Sequence, residues 1–239
     1  MDTKYKFSLV IPCYNEIEGL SQLIDRYYQA KKDLDFQLVI VDNGSNDGTY
    51  DYLQTELKKP KNQFIKFVKI DKNIGYGYGI FKGLKNCDAD IIGWSHGDLQ
   101  CAPEDVFKAY SRYIQLNNKK AVVKGQRQSR YWKDLVLSYG LDVYTLLVLF
   151  RTFNDMNGQP KVFHKDFLKT FIRPPLGFTF DLYSQNKAYQ NGYSVHCFRV
   201  DYPKREFGLS KWAYSTFAKA KTIKTYFIDI LKIRLGIFR

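Results

Sequence analysis

Short apolar runs alternate with longer amphipathic segments through the first half of the chain. Four of these runs have the length and composition of buried strands: FSLVIP (7–12), QLVIV (37–41), FIKFVKI (64–70) and DADIIGWS (88–95). The first is followed by a predicted helix from about Ile17 to Lys31, in which apolar side chains recur on one face. Strands that alternate with helices predict an α/β fold with an open, mostly parallel sheet flanked by helices.

The second half of the chain is less regular. Its predicted elements are AVVKG (121–125), an apolar helix (135–150), QPKVF (159–163), a helix around 180–191 and YSVHCFRV (193–200). The helix at 135–150 is shorter than the roughly 20 residues that a membrane span requires, and it contains Asp142. We therefore expect a buried or interfacial helix.

Each strand of the first half ends in a polar loop. The loops are CYNE (13–16), DNGSNDGT (42–49), DKNIGYG (71–77) and HGDLQ (96–100). Open α/β sheets bind ligands at the carboxyl ends of their strands, so we expect the four loops to share one crevice. Within the second loop, Asp47 is a candidate cap for a helix that runs through Leu57.

The fourth loop contains a candidate metal site. His96, Asp98 and Gln100 stand at every second position shortly after the apolar pair Ile91-Ile92. Strand alternation would point all three side chains to one side, where they could hold a divalent cation. The alternative is a polar loop after a buried strand.

Two further features have competing interpretations. Gly75, Gly77 and Gly79 do not form a dinucleotide-binding motif, because residue 80 is Ile80, so an oxidoreductase is disfavoured. These glycines are expected to let a helix pack closely on the sheet, or to place Asn73 and Gly75 near a nucleotide. Asp42 suits a ribose or base contact as well as an ordinary turn, and Glu16 suits a ligand contact as well as a first-turn helix charge.

Chain length, hydrophobic content and net charge limit the classes of protein to which this chain can belong. The chain has 239 residues, 45% of them hydrophobic, which is enough for one large domain. Its net charge of +13 predicts an anionic partner, unless the lysines reflect a genome-wide bias. A nucleic-acid-binding module is disfavoured because no RNP-like or helix-turn-helix signature accompanies the charge.

The spacing of the cysteines and the character of the N-terminal residues predict the cellular compartment of the protein. Four scattered cysteines lack the CxxC spacing of a zinc site or disulfide framework, which indicates a reducing compartment. The start MDTKYKFSLVIP has no long apolar region of the signal-peptide kind, so we expect a cytoplasmic protein.

Seven motifs in order resemble family 2 glycosyltransferases, specifically the dolichol-phosphate mannose synthase-like branch. They are IPCYNE (11–16), VDNGSNDGT (41–49), KNIGYGYGIFKGL (72–84), GDLQCAPED (97–105), KGQRQSR (124–130), NGQPKVF (157–163) and KREFGLSKW (204–212). The resemblance implies a glycosyltransferase-A fold, a nucleotide-diphosphate sugar donor, a divalent metal and inversion at the anomeric carbon.

The resemblance also implies roles for residues of the first half. Pro12, Tyr14, Glu16 and Asp42 would line the base and ribose pocket. Asp98 and Gln100 would hold the metal on the diphosphate. The family usually has Asp-x-Asp, whereas His96 replaces the first acid here. Imidazole suits Mn²⁺ better than Mg²⁺, so Mn²⁺ is the expected cofactor if His96 is a ligand. A structural histidine would leave Mg²⁺ possible, and a catalytically dead nucleotide-binding homologue is a further alternative.

Other implied roles fall in the second half. Arg127 and Arg130 would stabilise the charge that grows on the leaving diphosphate, unless they belong to a solvated basic loop. Arg205, Ser210 and Lys211 match a motif that lies near the acceptor and the diphosphate in this branch. Asp181 is the candidate general base for a hydroxyl acceptor, with helix capping as the alternative; a phosphate acceptor needs no base.

The segment after Trp212 combines helical spacing of apolar residues with many lysines and arginines. We expect a catalytic domain at 1–212 and a basic amphipathic helical segment at 213–239, which either binds the cytoplasmic face of a membrane or packs on protein. The function indicated is an inverting, metal-dependent transfer of a sugar from a nucleotide-diphosphate sugar to a polyprenyl phosphate. The alternative is transfer to a saccharide hydroxyl in surface-polysaccharide or lipopolysaccharide assembly.

Overall fold

The structure, a computed structural model, describes the backbone of residues 4–128, 132–203 and 216–239, and the side chains of these except 132–139 and 216–219. Within these ranges a seven-stranded sheet has the order β3-β2-β1-β4-β6-β5-β7. Its strands are β1 (Phe7–Cys13), β2 (Phe36–Asn43), β3 (Ile65–Ile70), β4 (Ile91–Trp94), β5 (Ala121–Arg127), β6 (Lys161–His164) and β7 (Ser194–Val200). Strand β6 runs antiparallel to both of its neighbours, and the other adjacent pairs are parallel.

Helices cover both faces of this sheet. They are α1 (Ile17–Ala30), α2 (Thr49–Glu56), α3 (Tyr76–Lys85), α4 (Pro103–Leu116), α5 (Trp132–Leu149), α6 (Phe180–Gln190) and α7 (Thr216–Arg234), with 3-10 turns at Pro60–Asn62 and Lys165–Thr170. The predicted strands and helices of the first half are confirmed to within about two residues at most ends, a usual uncertainty for element boundaries.

The central strands are apolar on both faces because helices cover both. Leu9 and Ile11 of β1 pack into one core with α1 and α4, whereas Val10 packs into a second core with α3 and α6. This double burial explains why β1 and β2 read as continuous apolar runs instead of alternating sequences. The parallel register sets Cys13 of β1 beside Asp42 of β2, which brings the two following loops to the same edge.

The glycines of α3 do not all act as predicted. At Gly83, a residue outside the predicted set, an added Cβ would lie 2.3 Å from Cγ1 of Val10, so this glycine allows close packing on the sheet. At Gly75 and Gly77 an added Cβ would instead lie 2.3 Å from the Leu176 carbonyl oxygen and 2.6 Å from the Pro175 carbonyl oxygen. The helix start therefore approaches the 175–177 segment, and the prediction of close packing on the sheet is wrong for these two positions.

Helix α7 packs beside α5, with Ile230 and Ile233 buried in the second core. Tyr226 is also buried, and its hydroxyl donates to the Phe178 carbonyl oxygen at 3.0 Å. The C-terminal segment is thus attached to the sheet domain over one of its faces. The domain boundary predicted at residue 212 lies outside the described residues.

All four cysteines are free thiols.

Candidate active site

The loops after β1 and β2 are joined by a reciprocal amide pair. The Asn15 side-chain amide donates to Oδ1 of Asn46 at 2.9 Å, and the Asn46 backbone N–H donates to Oδ1 of Asn15 at 2.9 Å. The backbone N–H of Asn15 also donates to the Ser45 hydroxyl at 2.9 Å. These contacts fix the CYNE and DNGSNDGT loops relative to each other, as the shared-crevice prediction requires.

Asp47 links the starts of two helices. The N-cap position of α2 is Gly48, one residue after the predicted cap, but Oδ1 of Asp47 still accepts from the Thr49 N–H at 3.0 Å. Its Oδ2 accepts from the Ile17 N–H at 3.1 Å at the start of α1. Burial opposes ionisation, but the hydrogen bonds from Thr49 and Ile17 outweigh it and lower the pKa of the Asp47 carboxyl. One carboxylate therefore satisfies unpaired N–H groups of both helices.

We expect Asp47→Ala to lower the free energy of unfolding by about 1–2 kcal/mol at pH 7, since two capping bonds are lost. The folded-state pKa is lowered, so this stabilisation is present above the unfolded-state pKa and disappears as the pH falls through the folded value. Urea unfolding at pH 7 and near pH 3 measures both effects, with the exposed Asp33→Ala as control. A deficit that stays constant between the two pH values would contradict the capping role.

The loop after β3 is attached to the end of β2. The Asn43 side-chain amide donates to the Gly75 carbonyl oxygen at 3.0 Å and to Oδ1 of Asn73 at 3.3 Å. Gly44 has φ +77°, and a Cβ there would lie 2.6 Å from the Asn73 nitrogen, so only glycine fits without a shift. The predicted nucleotide-binding positions Asn73 and Gly75 are therefore next to the end of β2.

A cleft of about 370 Å³ opens between the ends of β2 and β3. Its lining includes Asp42, which ends β2 and whose Oδ1 accepts from the Ser45 N–H at 2.9 Å. Lys69, the register partner of Asp42 on β3, also lines the cleft, and its Nζ lies 4.0 Å from the centre of the Tyr50 ring. The remaining lining residues are Gly44, Ser45, Asn46, Gly48, Asp51, Ile70 and Asp71. The volume is within the range of small-ligand clefts, and the lining is mostly polar.

Three predicted pocket residues lie outside the lining of this cleft. Pro12, Tyr14 and Glu16 are partly exposed residues at the end of β1 and in the following loop. Pro12 faces α3, because a Cβ added at Gly79 would lie 3.5 Å from the Pro12 Cβ. The structure therefore brings Asp42 to the cleft and sets the other three at the neighbouring strand end.

The loop after β4 lies against the end of β1. A Cβ added at Gly97 would lie 3.3 Å from both the Pro12 carbonyl oxygen and the Cys13 sulfur. The strand itself ends at Trp94, and Leu99 has φ +59°, so regular alternation does not extend through residues 96–100. The predicted reason for grouping His96, Asp98 and Gln100 is therefore wrong, because loop geometry places these side chains.

The donor set around Asp98 suits a cation that arrives with a phosphate ligand. Across the described ranges, no group of three or more His, Cys, Asp or Glu side chains is arranged to hold a metal alone. Asp98 is buried, and its Oδ1 accepts from the Gln100 N–H at 3.2 Å. The Gln100 side-chain amide donates to the Pro203 carbonyl oxygen at 2.7 Å, so its side-chain oxygen is the atom that could bind a metal. One carboxylate and a few neutral donors suit a metal ion whose remaining coordination positions are filled by phosphate oxygens of the substrate.

His96 lies in an aromatic cluster at the base of this loop. Its ring stacks on Tyr76 at 5.6 Å and meets Tyr202 edge-on at 6.4 Å. Burial lowers the pKa of His96 despite the nearby Asp98 and Asp181 carboxylates, which favours the neutral imidazole that binds metals. Tyr76 also stacks on Phe178 at 5.3 Å. The loop after β4 that contains His96, Asp98 and Gln100 (the candidate metal loop) is therefore supported by the segment before α6.

Asp181 lies at the centre of a buried polar cluster beneath the site. Its side chain forms an ion pair with Lys161, and the exposed fractions of the two side chains are 3% and 1%. Oδ1 of Asp181 also accepts from the Gln159 side-chain amide at 2.8 Å and from the Trp94 indole N–H at 3.3 Å. The Gln159 side-chain amide also donates to the Tyr76 hydroxyl at 3.4 Å, and burial together with the negative charge of Asp181 raises the pKa of Tyr76. The predicted base candidate is thus held inside the domain.

Arg127 is held by a carboxylate that sequence reasoning missed. Its guanidinium forms a bidentate ion pair with Asp155, and its backbone N–H donates to the same side chain at 2.8 Å. Four other predicted residues, Arg130, Arg205, Ser210 and Lys211, lie outside the described residues. Their roles stay predictions.

The sequence contains a signal for one of the two missed residues, Lys161, and none for the other, Asp155. Lys161 follows Pro160 and precedes the apolar pair Val162-Phe163, and a lysine in a buried strand requires an anionic partner. Asp155 stands in FNDMNG, which resembles an ordinary turn, so no local pattern distinguishes it from a solvated aspartate.

Sequence relatives match the first part of the chain. An undecaprenyl-phosphate 4-deoxy-4-formamido-L-arabinose transferase from Pseudomonas syringae is 31% identical over 128 residues, which are 53% of this chain and 38% of that protein. The enzyme of the same name from Proteus mirabilis is 34% identical over 103 residues, 42% of this chain and 31% of that protein. The match therefore spans well under half the length of these relatives.

Solved structures support the fold over nearly the whole chain. Glucosyl-3-phosphoglycerate synthase from Mycobacterium tuberculosis, crystallised with Mn²⁺, UDP and glucosyl-3-phosphoglycerate, superposes with a TM-score of 0.69 at 16% identity. The superposition covers 97% of this chain and 80% of that one, which confirms the predicted glycosyltransferase-A architecture of the sheet. The family model for glycosyl transferase family 2 matches residues 8–178. The motif order, the sheet and this match agree, and the chain belongs to glycosyl transferase family 2.

Proposed function

We propose that this protein is an inverting glycosyltransferase that transfers a sugar from a nucleotide-diphosphate sugar to a polyprenyl phosphate. Support comes from its family and from the relatives named as undecaprenyl-phosphate sugar transferases. The ends of β1, β2 and β4, with the loop after β3, supply the crevice in which the donor would lie.

The observation that carries the choice of acceptor is the burial of Asp181. A sugar hydroxyl must lose a proton when it attacks, whereas a phosphate acceptor is already ionised near neutral pH. Asp181 is only 2% exposed and forms an ion pair with Lys161, so it is poorly placed to reach an acceptor hydroxyl. This geometry supports the phosphate acceptor and gives Asp181 a role in holding Trp94 and Gln159.

In the proposed reaction the acceptor oxygen attacks the anomeric carbon as the bond to the diphosphate breaks. Asp42 and the surrounding cleft would hold the nucleoside, and Arg127 would donate hydrogen bonds to the diphosphate as its negative charge grows. The neighbouring strand end carries Pro12, Tyr14 and Glu16, which would line the base and ribose pocket of the donor, as the family resemblance implies.

Asp98 and Gln100 would hold the divalent metal, with His96 as a further ligand. When bound, such a metal supplies Lewis-acid stabilisation of the leaving phosphate. The M. tuberculosis synthase was crystallised with Mn²⁺ and UDP, and we propose Mn²⁺ for this protein as well, with Mg²⁺ as the less favoured ion.

His96→Ala tests the preference for Mn²⁺. Because imidazole favours Mn²⁺ over Mg²⁺, the variant should lose about 10-fold more activity with Mn²⁺ than with Mg²⁺. Initial transfer rates with each ion give the ratio, and the exposed His196→Ala serves as control. An unchanged Mn²⁺/Mg²⁺ ratio would remove His96 from the ligand set.

We also propose that α5 and α7 together rest on the cytoplasmic face of a membrane. The helices are joined by the Tyr144 and Phe227 rings at 4.4 Å. Leu147 of α5 is 67% exposed, and Phe150 and Leu235, each directly after one of the helices, are 70% and 73% exposed. Arg234 lies over the Phe150 ring, and basic groups beside exposed apolar ones suit an anionic lipid surface. Where the structure describes them, the helices fall short of the length and apolarity needed to cross a bilayer.

A donor and acceptor panel tests the proposed function. We expect a UDP- or GDP-sugar with Mn²⁺ to raise the melting temperature, because a bound donor stabilises the folded state. We then expect product with undecaprenyl phosphate, and none with a free saccharide. Product only with the saccharide, lost in Asp181→Asn, would select the hydroxyl acceptor, and no response to any nucleotide sugar would refute the proposal.

A further inference from the structure

We propose that Asp155 is a positioning residue that aims the Arg127 guanidinium at the donor diphosphate. The inference rests on the proposed function, because it assigns Arg127 to the diphosphate. It adds a residue that the motif resemblance did not include, and it explains how a single arginine at a strand end keeps one orientation.

Asp155 contacts both the main chain and the head group of Arg127. Its Oδ2 accepts from the Arg127 backbone N–H at 2.8 Å and from Nε at 3.0 Å, while Oδ1 accepts from Nη2 at 2.5 Å. The exposed fractions of the two side chains are 18% for Arg127 and 5% for Asp155. A bidentate pair with an added main-chain bond restrains the guanidinium far more than a point contact would.

The turn that carries Asp155 is itself attached to β5. The buried Lys124 donates through Nζ to the carbonyl oxygens of Asn154 at 2.5 Å and Asp155 at 2.6 Å. Gly158 donates its N–H to the Asp155 carbonyl oxygen at 2.8 Å, and a Cβ at Gly158 would lie 2.2 Å from the Gly125 carbonyl oxygen. The turn is therefore held by two residues of the strand that ends in Arg127, which makes it a rigid support.

The guanidinium keeps donors for a ligand and lies beside the metal loop. An arginine has five N–H donors, and the bonds to Asp155 use the one on Nε and one on Nη2. The head group lies over the Tyr202 ring at 5.4 Å, and Tyr202 in turn contacts His96. The other donors are thus available to an anion at the metal loop.

The pKa of the Asp155 carboxyl agrees with this geometry. Burial acts to raise the pKa of the Asp155 carboxyl, but the hydrogen bonds and positive charge of Arg127 outweigh it and hold that pKa at about 2. Asp155 therefore stays ionised across the working pH range, and the orientation of Arg127 does not depend on pH there.

The test compares nucleoside diphosphates with monophosphates. Asp155→Asn keeps the side-chain shape and removes its charge, so Arg127 loses its fixed direction. We measure binding of UDP, GDP, UMP and GMP with Mn²⁺ by calorimetry. For the diphosphate that wild type binds, Kd should rise about 10-fold or more, while the matching monophosphate changes less than about 2-fold. The exposed Asp90→Asn, which disturbs a surface ion pair with Lys165, is the matched control.

A double variant separates positioning from general damage. If Asp155 acts through Arg127, Arg127→Gln/Asp155→Asn should bind the diphosphate no more weakly than Arg127→Gln alone. Equal weakening of diphosphate and monophosphate, or no weakening at all, would overturn the inference. Should Asp155→Asn fail to fold, unchanged diphosphate binding by Arg127→Gln would overturn it equally. Wild type that binds neither diphosphate would refute the proposed function instead.

Discussion

Asp98→Asn is expected to reduce sugar transfer at least about 100-fold. The substitution removes the negative charge that would hold the metal, so the charge growing on the leaving diphosphate loses its main stabilisation. Asn can still accept the Gln100 N–H through its own Oδ1, so the loop should keep its shape. Initial rates at saturating Mn²⁺ measure the loss of activity.

Binding gives a second measurement that does not depend on turnover. In wild type, Mn²⁺ should tighten UDP or GDP binding, and in Asp98→Asn this metal-dependent gain should vanish. Glu104→Gln, an exposed acid at the start of α4, is the control and should behave like wild type. A variant that keeps both activity and metal-assisted nucleotide binding would show that the cation, if any, is held elsewhere.

Lys161→Met is expected to lower the free energy of unfolding by about 3–5 kcal/mol. The substitution leaves the Asp181 carboxylate without its cationic partner in the interior, where an uncompensated charge is costly. Adding Asp181→Asn should recover most of the loss, because the amide oxygen can still accept from Trp94 and Gln159. Urea unfolding followed by tryptophan fluorescence measures all variants.

A surface pair provides the comparison for this buried one. Lys165 and Asp90 are paired at 2.5 Å, but both side chains are about half exposed. Solvent screens such a pair, so Lys165→Met should cost less than about 1 kcal/mol. If Lys161→Met costs no more than Lys165→Met, or if the double variant is no more stable than the single one, the buried-pair interpretation is wrong.

The polar cluster around Asp181 also connects stability with acceptor choice. The Asp181 carboxylate accepts hydrogen bonds from Trp94 and Gln159 and pairs with Lys161, and so it organises the floor of the site. Trp94 directly precedes the metal loop, and Gln159 lies beside the turn that contains Asp155. The cluster therefore supports both parts of the proposed diphosphate site, the metal loop and Arg127. Transfer to an ionised phosphate leaves the cluster free to serve this supporting role.

Local patterns were enough to predict the sheet domain. Apolar runs of strand length, separated by amphipathic segments and polar loops, predicted β1 to β4 and their order along the chain. Because parallel strands place their carboxyl ends at one edge, the same pattern predicted that the four loops meet. The contacts of Asn15 with Asn46 and of Asn43 with Gly75 confirm this for the first three loops. The close approach of Gly97 to Cys13 places the fourth loop beside the end of β1.

Long-range partners could not be predicted in the same way. Lys161 and Asp181 are 20 residues apart, and Arg127 and Asp155 are 28 apart, so no periodicity links them. Which residue pairs with a buried charge depends on which strands are neighbours in the sheet. Here β6 enters antiparallel between β4 and β5, a placement that the irregular second half did not reveal.

The metal loop illustrates the same division. The types and spacing of His96, Asp98 and Gln100 were legible in the chain, but strand alternation was the wrong reason for grouping them. The strand stops at Trp94, and Leu99 adopts a left-handed conformation that redirects the loop. The sequence by itself determined which residues follow the strands and that those loops share an edge, because periodicity and chain connectivity are local properties. Only the tertiary structure decided which charges are buried, paired and aimed, because those depend on packing between segments that are distant in the chain.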